Sequence, residues 1–471
     1  MTKGSEAKAI FMFSVPLLLG NVFQQMYSTV DGIVVGRVLG AEALAGVGAS
    51  FPILFLIIAL LMGLGMGATV LISQFYGAGD YDSVVKIADS VLLSNIVISM
   101  VLSVIGILIT DPFLDLLKTP AEVMPYASLY LKVTFTGMIG MVGYNLTSAI
   151  LRGLGDSKTP LYFLILSTAI NLILLLLFVP VLGMGITGAA LATVIAQLCS
   201  FIFGIVYLNK THPLIRIDPR HMKFDRKLFV ESVRIGLPSG FQQMLVSVSM
   251  IIIQAIINPF GTAVIAAVTA ASRIQQFAFM PIMNINMAMS AFAGQNIGAG
   301  KMARIQKGYH AALKISGTIA VVLTLVCSIW GRAMIGWFNS DSEVIMIGHE
   351  FLLIVMPFLI PACVMFMSMA TIRGAGDAMA TLTISMAALW LVRVPSALIL
   401  AHTIGYRGVF LAAGLDWSAG AIMAFLYYRS GRWKKKISID RIMKKEENII
   451  IEPEDETTDW KREGCSHGRN Q

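Results

Sequence analysis

Asp31 is the residue of this 471-residue chain whose chemistry is hardest to explain as packing. It closes the polar stretch Gln24-Gln25-Met26-Tyr27-Ser28-Thr29-Val30-Asp31 inside a long apolar run. A carboxylate held in hydrocarbon is strongly disfavoured and is by default a functional candidate. Facing a wet cleft, it could exchange protons or bind Na⁺; as a packing residue, it would hydrogen-bond near a membrane boundary. Asn171 and Thr193, in two later apolar runs, could offer oxygen ligands to a cation beside it. By themselves such residues are ordinary interhelical hydrogen bonders. Arg393 and Asp416 make a second pair, expected to neutralise each other as a structural clasp. Met-rich stretches such as Met280, Met283, Met287 and Met289 offer a soft wall able to hold aromatic cations where it lines a cleft. Gln24, Gln25, Tyr27, Gln242, Gln243, Met280 and Met287 are the candidate cleft residues.

Other chemistries find no support. Gly183-Met-Gly185-Ile-Thr-Gly188 fits GxGxxG, but no strand precedes it and no acid follows near position 208, so it reads as a turn. There is no HExxH, Walker A or GxSxG motif, and no nucleophile paired with a base. No catalytic residue is assigned, and the chain is not expected to be an enzyme. Cys199, Cys327 and Cys363 sit in apolar runs and Cys465 near the end, without CxxC or metal-ligand spacing. No metal site and no cofactor are expected.

The elements that must position Asp31 are membrane helices. Hydrophobic residues make up 56% of the chain and charged residues 13%, against about 25% charged in a soluble protein. Mean hydropathy is +0.78. The chain therefore reads as an all-α polytopic membrane protein, and not as a soluble enzyme, a disordered regulator or a disulfide-stapled secreted protein. Crossing a ~30 Å hydrocarbon layer takes roughly 20 helical residues. Twelve segments meet that length, from Ile10–Val38 to Arg407–Tyr428, with Val123–Leu151 as the fourth. The first follows Lys3 and Lys8 but continues without a cleavage site, so it is a retained helix rather than a signal peptide.

The net charge of +8 belongs to topology, not to nucleic acid. One set of gaps holds Lys86, Arg152, Lys158, Lys210, Arg216, Arg220, Lys223, Arg226, Lys227, Lys301, Arg304, Lys307 and Arg373. The opposite set holds only Arg37, Lys118, Arg332 and Arg407. Positive residues favour the cytoplasmic side, so both termini are expected there. Beyond Tyr428 the chain opens basic (Arg432, Lys434, Lys435, Lys436), which suits anionic headgroups, and turns acidic around Glu452–Glu456. It is expected to be a largely disordered tail.

The two halves repeat. Gln74-Phe-Tyr-Gly77-Ala-Gly79 matches Gln295-Asn-Ile-Gly298-Ala-Gly300, and Arg152-Gly-Leu-Gly155-Asp156 matches Arg373-Gly-Ala-Gly376-Asp377, both 221 positions on. Phe23-Gln24-Gln25-Met26 matches Phe241-Gln242-Gln243-Met244 at 218. The expected units are a six-helix bundle over 1–209, a linker over 210–227, a second bundle over 228–430 and a charged tail over 431–471. Six spans per copy give both halves one orientation, so they should be related by an axis along the membrane normal, with a central cleft suited to alternating access. In the RGxGD turns, Asp156 and Asp377 read as structural, capping helix ends.

With these features the chain resembles the multidrug and toxic compound extrusion (MATE) family over about Ile10 to Tyr428. Pro16, Gln24-Gln25, Asp31, the GAG and RGxGD turns, Gly188-Ala-Ala-Leu-Ala-Thr193 and Arg393-Val-Pro395 carry the likeness. The resemblance implies a secondary transporter in a bacterial cell membrane that exports organic cations and other amphipathic drugs in exchange for H⁺ or Na⁺. It implies a V-shaped pair of bundles, and the protein is expected to act as a monomer. In the DinF-type branch, which the chain resembles more, Asp31 matches the first-helix acid central to coupling, and Asn171 and Thr193 match polar members of the cation site. That branch has an Asp four residues after the Asn; here the residue is Leu175. A lipid-linked oligosaccharide flippase on the same plan is the alternative, and a passive channel the remoter one. A flippase cleft should hold several basic residues, and the mid-span basic residue is essentially Arg393.

Overall fold

The computed structural model describes residues 1–211 and 221–442. Arg216 and Arg220 of the expected linker and the acidic stretch Glu452–Glu456 lie outside the described residues. The apolar runs fold as helices because hydrocarbon offers backbone groups no partner, so each must bond within its own segment. The first lobe contains α1 (Glu6–Leu39), α2 (Ala41–Ala78), α3 (Tyr81–Leu116), α4 (Met124–Thr136), α5 (Met138–Leu154), α6 (Lys158–Leu176) and α7 (Gly185–Thr211). The second contains α8 (Arg226–Ile257), α9 (Thr262–Gly298), α10 (Met302–Gly336), α11 (Ser342–Val355), α12 (Leu359–Gly374), α13 (Ala378–Met386), α14 (Val394–Ile404) and α15 (Tyr406–Arg429). No strand occurs among the described residues.

Among the described residues, eleven helical segments are long and apolar enough to cross a membrane. The expected fourth span is instead two helices, α4 and α5, which meet at Gly137. The Gly137 amide bonds the Thr134 carbonyl at 3.1 Å, tightening the last turn of α4. A Cβ on Gly137 would strike the γ-methyls of Val194 on α7, so the break admits a close helix approach that a larger residue would forbid.

The fifth span of each lobe contains a wide π turn, Leu177–Val181 after α6 and Ala387–Arg393 between α13 and α14. The RGxGD turns end α5 and α12 as their composition suggests. Gly155 and Gly376 sit at φ 92° and 95°, where a side chain would be strained. Asp156 accepts from the Lys158 and Thr159 amides, and Asp377 from the Ala380 amide. Gly183 and Met184 form the connection before α7, and Gly185 to Gly188 open that helix rather than lying in the expected turn.

The two lobes share their cores. Ile10 and Phe13 of α1 are buried within the second lobe's apolar cluster, and Leu228 and Ile235 of α8 within the first lobe's. The chain beyond α15 departs from the expected tail up to residue 442. Trp433, Ile437 and Ser438 are buried, Lys436 pairs with Asp377 at 3.5 Å, and Arg441 pairs with Glu231 at 3.2 Å. Two of its basic residues are thus held by acids of the protein, which is why the segment packs rather than floats.

Candidate functional site

Asp31 lies on α1 one turn beyond Tyr27, and the two share a helix face. One carboxylate oxygen, Oδ1, is buried with no hydrogen-bond partner. Its charge acts on the phenols of Tyr27 and of Tyr130 on α4. Tyr27 Oη and Thr193 Oγ1 are hydrogen-bonded at 3.2 Å, and Asn171 Nδ2 donates to the same Thr193 oxygen at 3.1 Å. Asn171 is buried, and its Oδ1 is a second orphaned acceptor. The structure therefore joins Tyr27, Asn171 and Thr193 by hydrogen bonds where α1, α6 and α7 meet, with Asp31 one turn along α1 from Tyr27 and with Asp31 Oδ1 and Asn171 Oδ1 lacking donors. Such oxygens suit a bound proton or a small hard cation. Leu175 occupies the next turn of α6, buried among Val35, Ala43, Tyr130 and Val179, and adds packing but no ligand.

In the second lobe, Arg393 Nη1 lies 3.6 Å from Asp416 Oδ2, with the Asp416 side chain 3% exposed. This joins the end of the π turn to α15, as expected of the pair. Arg393 Nε and Asp416 Oδ1 remain without partners.

The remaining candidates divide. Gln24, Gln25 and Gln243 are exposed on helices that are otherwise apolar, as are Ser272, Arg273 and Gln276 of α9. Polar side chains there fit a wet cleft better than lipid. Gln242 is engaged, donating to Ser385 Oγ at 2.7 Å and accepting from Arg373 at 3.5 Å. Met280 and Met287 are half-buried on α9, and the Met280 carbonyl accepts from Asn284. Asn21 of α1 and Asn284 are joined across the lobes at 3.1 Å.

Sequence reasoning missed two features. Arg373, counted as a loop cation, is buried beside Met66 of the opposite lobe, with Nε unpartnered and no carboxylate paired to it among the described residues. Arg393 is therefore not the only buried guanidinium. The second feature is the seam between the lobes. The later half of α2 runs against α8 and the end of α9 so closely that a methyl on Gly67 would meet the Ser232 carbonyl, and one on Gly77 the Gln295 backbone. Gln74 and Gln295 lie in this seam, 0% and 1% exposed. Gln74 Nε2 donates to the Gly374 carbonyl at 2.8 Å, and Gln295 Nε2 to the Gly153 carbonyl at 3.0 Å. This exchange is what a two-fold axis between the repeats produces. Its sequence signal was the pair of glutamines at one offset. The amino group of Met1 donates to Gln295 Oε1, and burial together with Arg304 holds its pKa below the usual α-amino range.

A family model described as MatE matches residues 16–177 and again 238–399, one copy per lobe. Among curated proteins, the chain is 33% identical to the probable multidrug resistance protein YoeA of Bacillus subtilis (strain 168), covering 92% of this chain and 96% of that one. It is 31% identical to the probable multidrug resistance protein YpnP of the same organism, covering 92% and 97%. A solved outward-facing multidrug resistance MATE family transporter of the MOP superfamily superposes with a TM-score of 0.84 at 26% identity, over 92% of this chain and 97% of that one.

Proposed function

This chain belongs to the MatE family of multi-pass membrane transporters, and from that premise we propose that it is a secondary active exporter of drug-like organic cations. The exchange ion is H⁺ or Na⁺, and the chain works by alternating access. The observation that carries this reading is Asp31 Oδ1, buried without a partner one turn along α1 from Tyr27, whose hydroxyl meets Thr193, itself bonded to Asn171. An acid that can take up a proton or a monovalent cation, on the helix that also presents Gln24 and Gln25, links ion occupancy to the shape of α1.

The closed seam is assigned to the cytoplasmic end, because Lys86, Arg152, Lys158, Lys301, Arg304, Lys307 and Arg373 cluster toward it. The cleft then opens outward, and the protein acts as a monomer. The DinF-type acid absent at Leu175 leaves Asp31 as the sole carboxylate of the first-lobe site.

The test is a proteoliposome assay. A cationic dye should accumulate against its gradient when H⁺ or Na⁺ is supplied on the opposite face, and running the two ions separately names the coupling ion. Dye movement only down its own gradient would replace exchange by passive flux. Arg373 favours one second reading, a flippase for lipid-linked oligosaccharides, since a buried guanidinium that faces no carboxylate among the described residues suits a pyrophosphate. Translocation of a fluorescent lipid pyrophosphate with no dye export would select it.

A further inference from the structure

The reading above uses Asp31 but leaves the GAG and RGxGD repeats without a role. We propose that Gln74 and Gln295 are the positioning residues that hold the inner end of the cleft shut, and that residues 432–442 are a strap that strengthens the closed state from the Gln74 side. The inference rests on alternating access, because only there must these lobes part.

Both glutamines are buried, and each bonds across the seam to the backbone of the opposite RGxGD turn. The bonds do not belong to either lobe's own fold. They exist only while α2, α9 and the two turns are together. Opening the inner end must break both at once and expose the Gly153 and Gly374 carbonyls to water. The loss is partly recovered by hydration, so the bonds bias the equilibrium rather than freeze it.

The strap breaks the symmetry of this arrangement. It is anchored to the second lobe: Trp433 stacks on Tyr428 and donates to the Tyr428 carbonyl at 2.9 Å. The Ser438 amide donates to the Ala375 carbonyl at 3.2 Å, and Lys436 and Arg441 pair with Asp377 and Glu231. From that anchorage it crosses the seam. The Ile439 amide donates to Gln74 Oε1 at 3.1 Å, Ile439 packs against the cores of both lobes, and Ile442 packs against the first. A segment that merely capped the second lobe would not meet Gln74. Gln74 thus has its amide nitrogen committed to the Gly374 carbonyl and its oxygen to the strap.

The experiment reads conformation directly. Spin labels on Lys86→Cys and Lys307→Cys, both exposed and one in each lobe at the seam end, report the gap by pulsed electron paramagnetic resonance in proteoliposomes. The native cysteines are replaced, and neither drug nor ion gradient is present. In the parent the short distance should dominate. Gln74→Leu should raise the ratio of long to short distances about tenfold, and Gln295→Leu likewise. The double variant Lys436→Gln/Arg441→Gln, which leaves the seam itself intact, should raise it about threefold. If both glutamine variants keep the parent distribution, the gate assignment is overturned. If they shift and the strap variant does not, the strap is overturned. Should the leucine variants fail to fold, the strap variant decides: the shift supports the proposal, and the parent distribution overturns it. A protein that moves no dye but still shows these shifts would sink the export reading and leave the gate standing.

Discussion

The fifth and sixth spans of each lobe carry a polar pair at nearly the same spacing, and the two pairs differ in kind. In the first lobe, Asn171 and Thr193 are 22 residues apart and hydrogen-bonded at 3.1 Å. In the second, Arg393 and Asp416 are 23 residues apart and ion-paired at 3.6 Å. One pair is neutral and leaves the buried Asn171 Oδ1 open; the other already contains its own cation. The fifth and sixth spans of the two bundles thus carry polar groups at neighbouring places in the repeat, with a resident guanidinium in the second where the first has a neutral pair. A buried carboxylate next to a fixed cation has little to gain from binding another. On the proposed mechanism, the exchanging ion therefore belongs to the first lobe.

Substitutions can break that contrast. Asp31→Asn should give the largest effect, reducing uphill dye accumulation to the level of empty vesicles while the monodisperse yield stays near the parent's. Unchanged accumulation would move the ion site elsewhere. Asp416→Asn should act on stability, since it strands Arg393 without a counter-charge, and a loss of about 3 kcal/mol is expected in thermal unfolding in detergent. The double variant Arg393→Met/Asp416→Leu should recover most of it and keep ion dependence. If the double variant loses coupling, the two lobes are functionally alike. Leu175→Asp sharpens the contrast by adding a carboxylate to the first lobe, and should steepen the dependence of export on one ion several-fold when proton and sodium gradients are compared. Tyr27→Phe should be mildest, removing one hydroxyl bond to Thr193, worth about 1 kcal/mol. A roughly fivefold rise in the ion concentration for half-maximal export would report it.

Much of the architecture was legible because hydrocarbon leaves the backbone few choices. The spans, the two-fold repetition and the meeting of Arg393 with Asp416 all followed from the penalty on unpaired polar groups. Asp31 stood out for the same reason, and its Oδ1 is buried without a partner. What escaped depends on how elements lie against one another. Gly137 is one of 42 glycines, and nothing in its local sequence marks it as the one that lies against Val194 where the helix divides. Arg373 looks like any cation at the end of a span until Met66 of the other lobe is found beside it. Residues 432–442 have the charge of a solvated tail, and only the acids waiting at Asp377 and Glu231 show why they fold back. The repeat announced an axis and matched Gln74 to Gln295, but it did not announce that each would bond the backbone of the opposite turn, which depends on how closely the lobes meet.

The glycine-lined contact between α2 and its neighbours has a directional consequence for variation. Where backbone lies on backbone, any added carbon acts as a wedge, and a wedge pushes only one way. Replacement of Gly67 or Gly77 by alanine has no way to tighten the contact; it can only prop the lobes apart at that end. Chance mutation along this strip should therefore yield proteins jammed in a single posture rather than a scatter of defects, and second-site suppressors should appear as trimmed side chains on the facing helices.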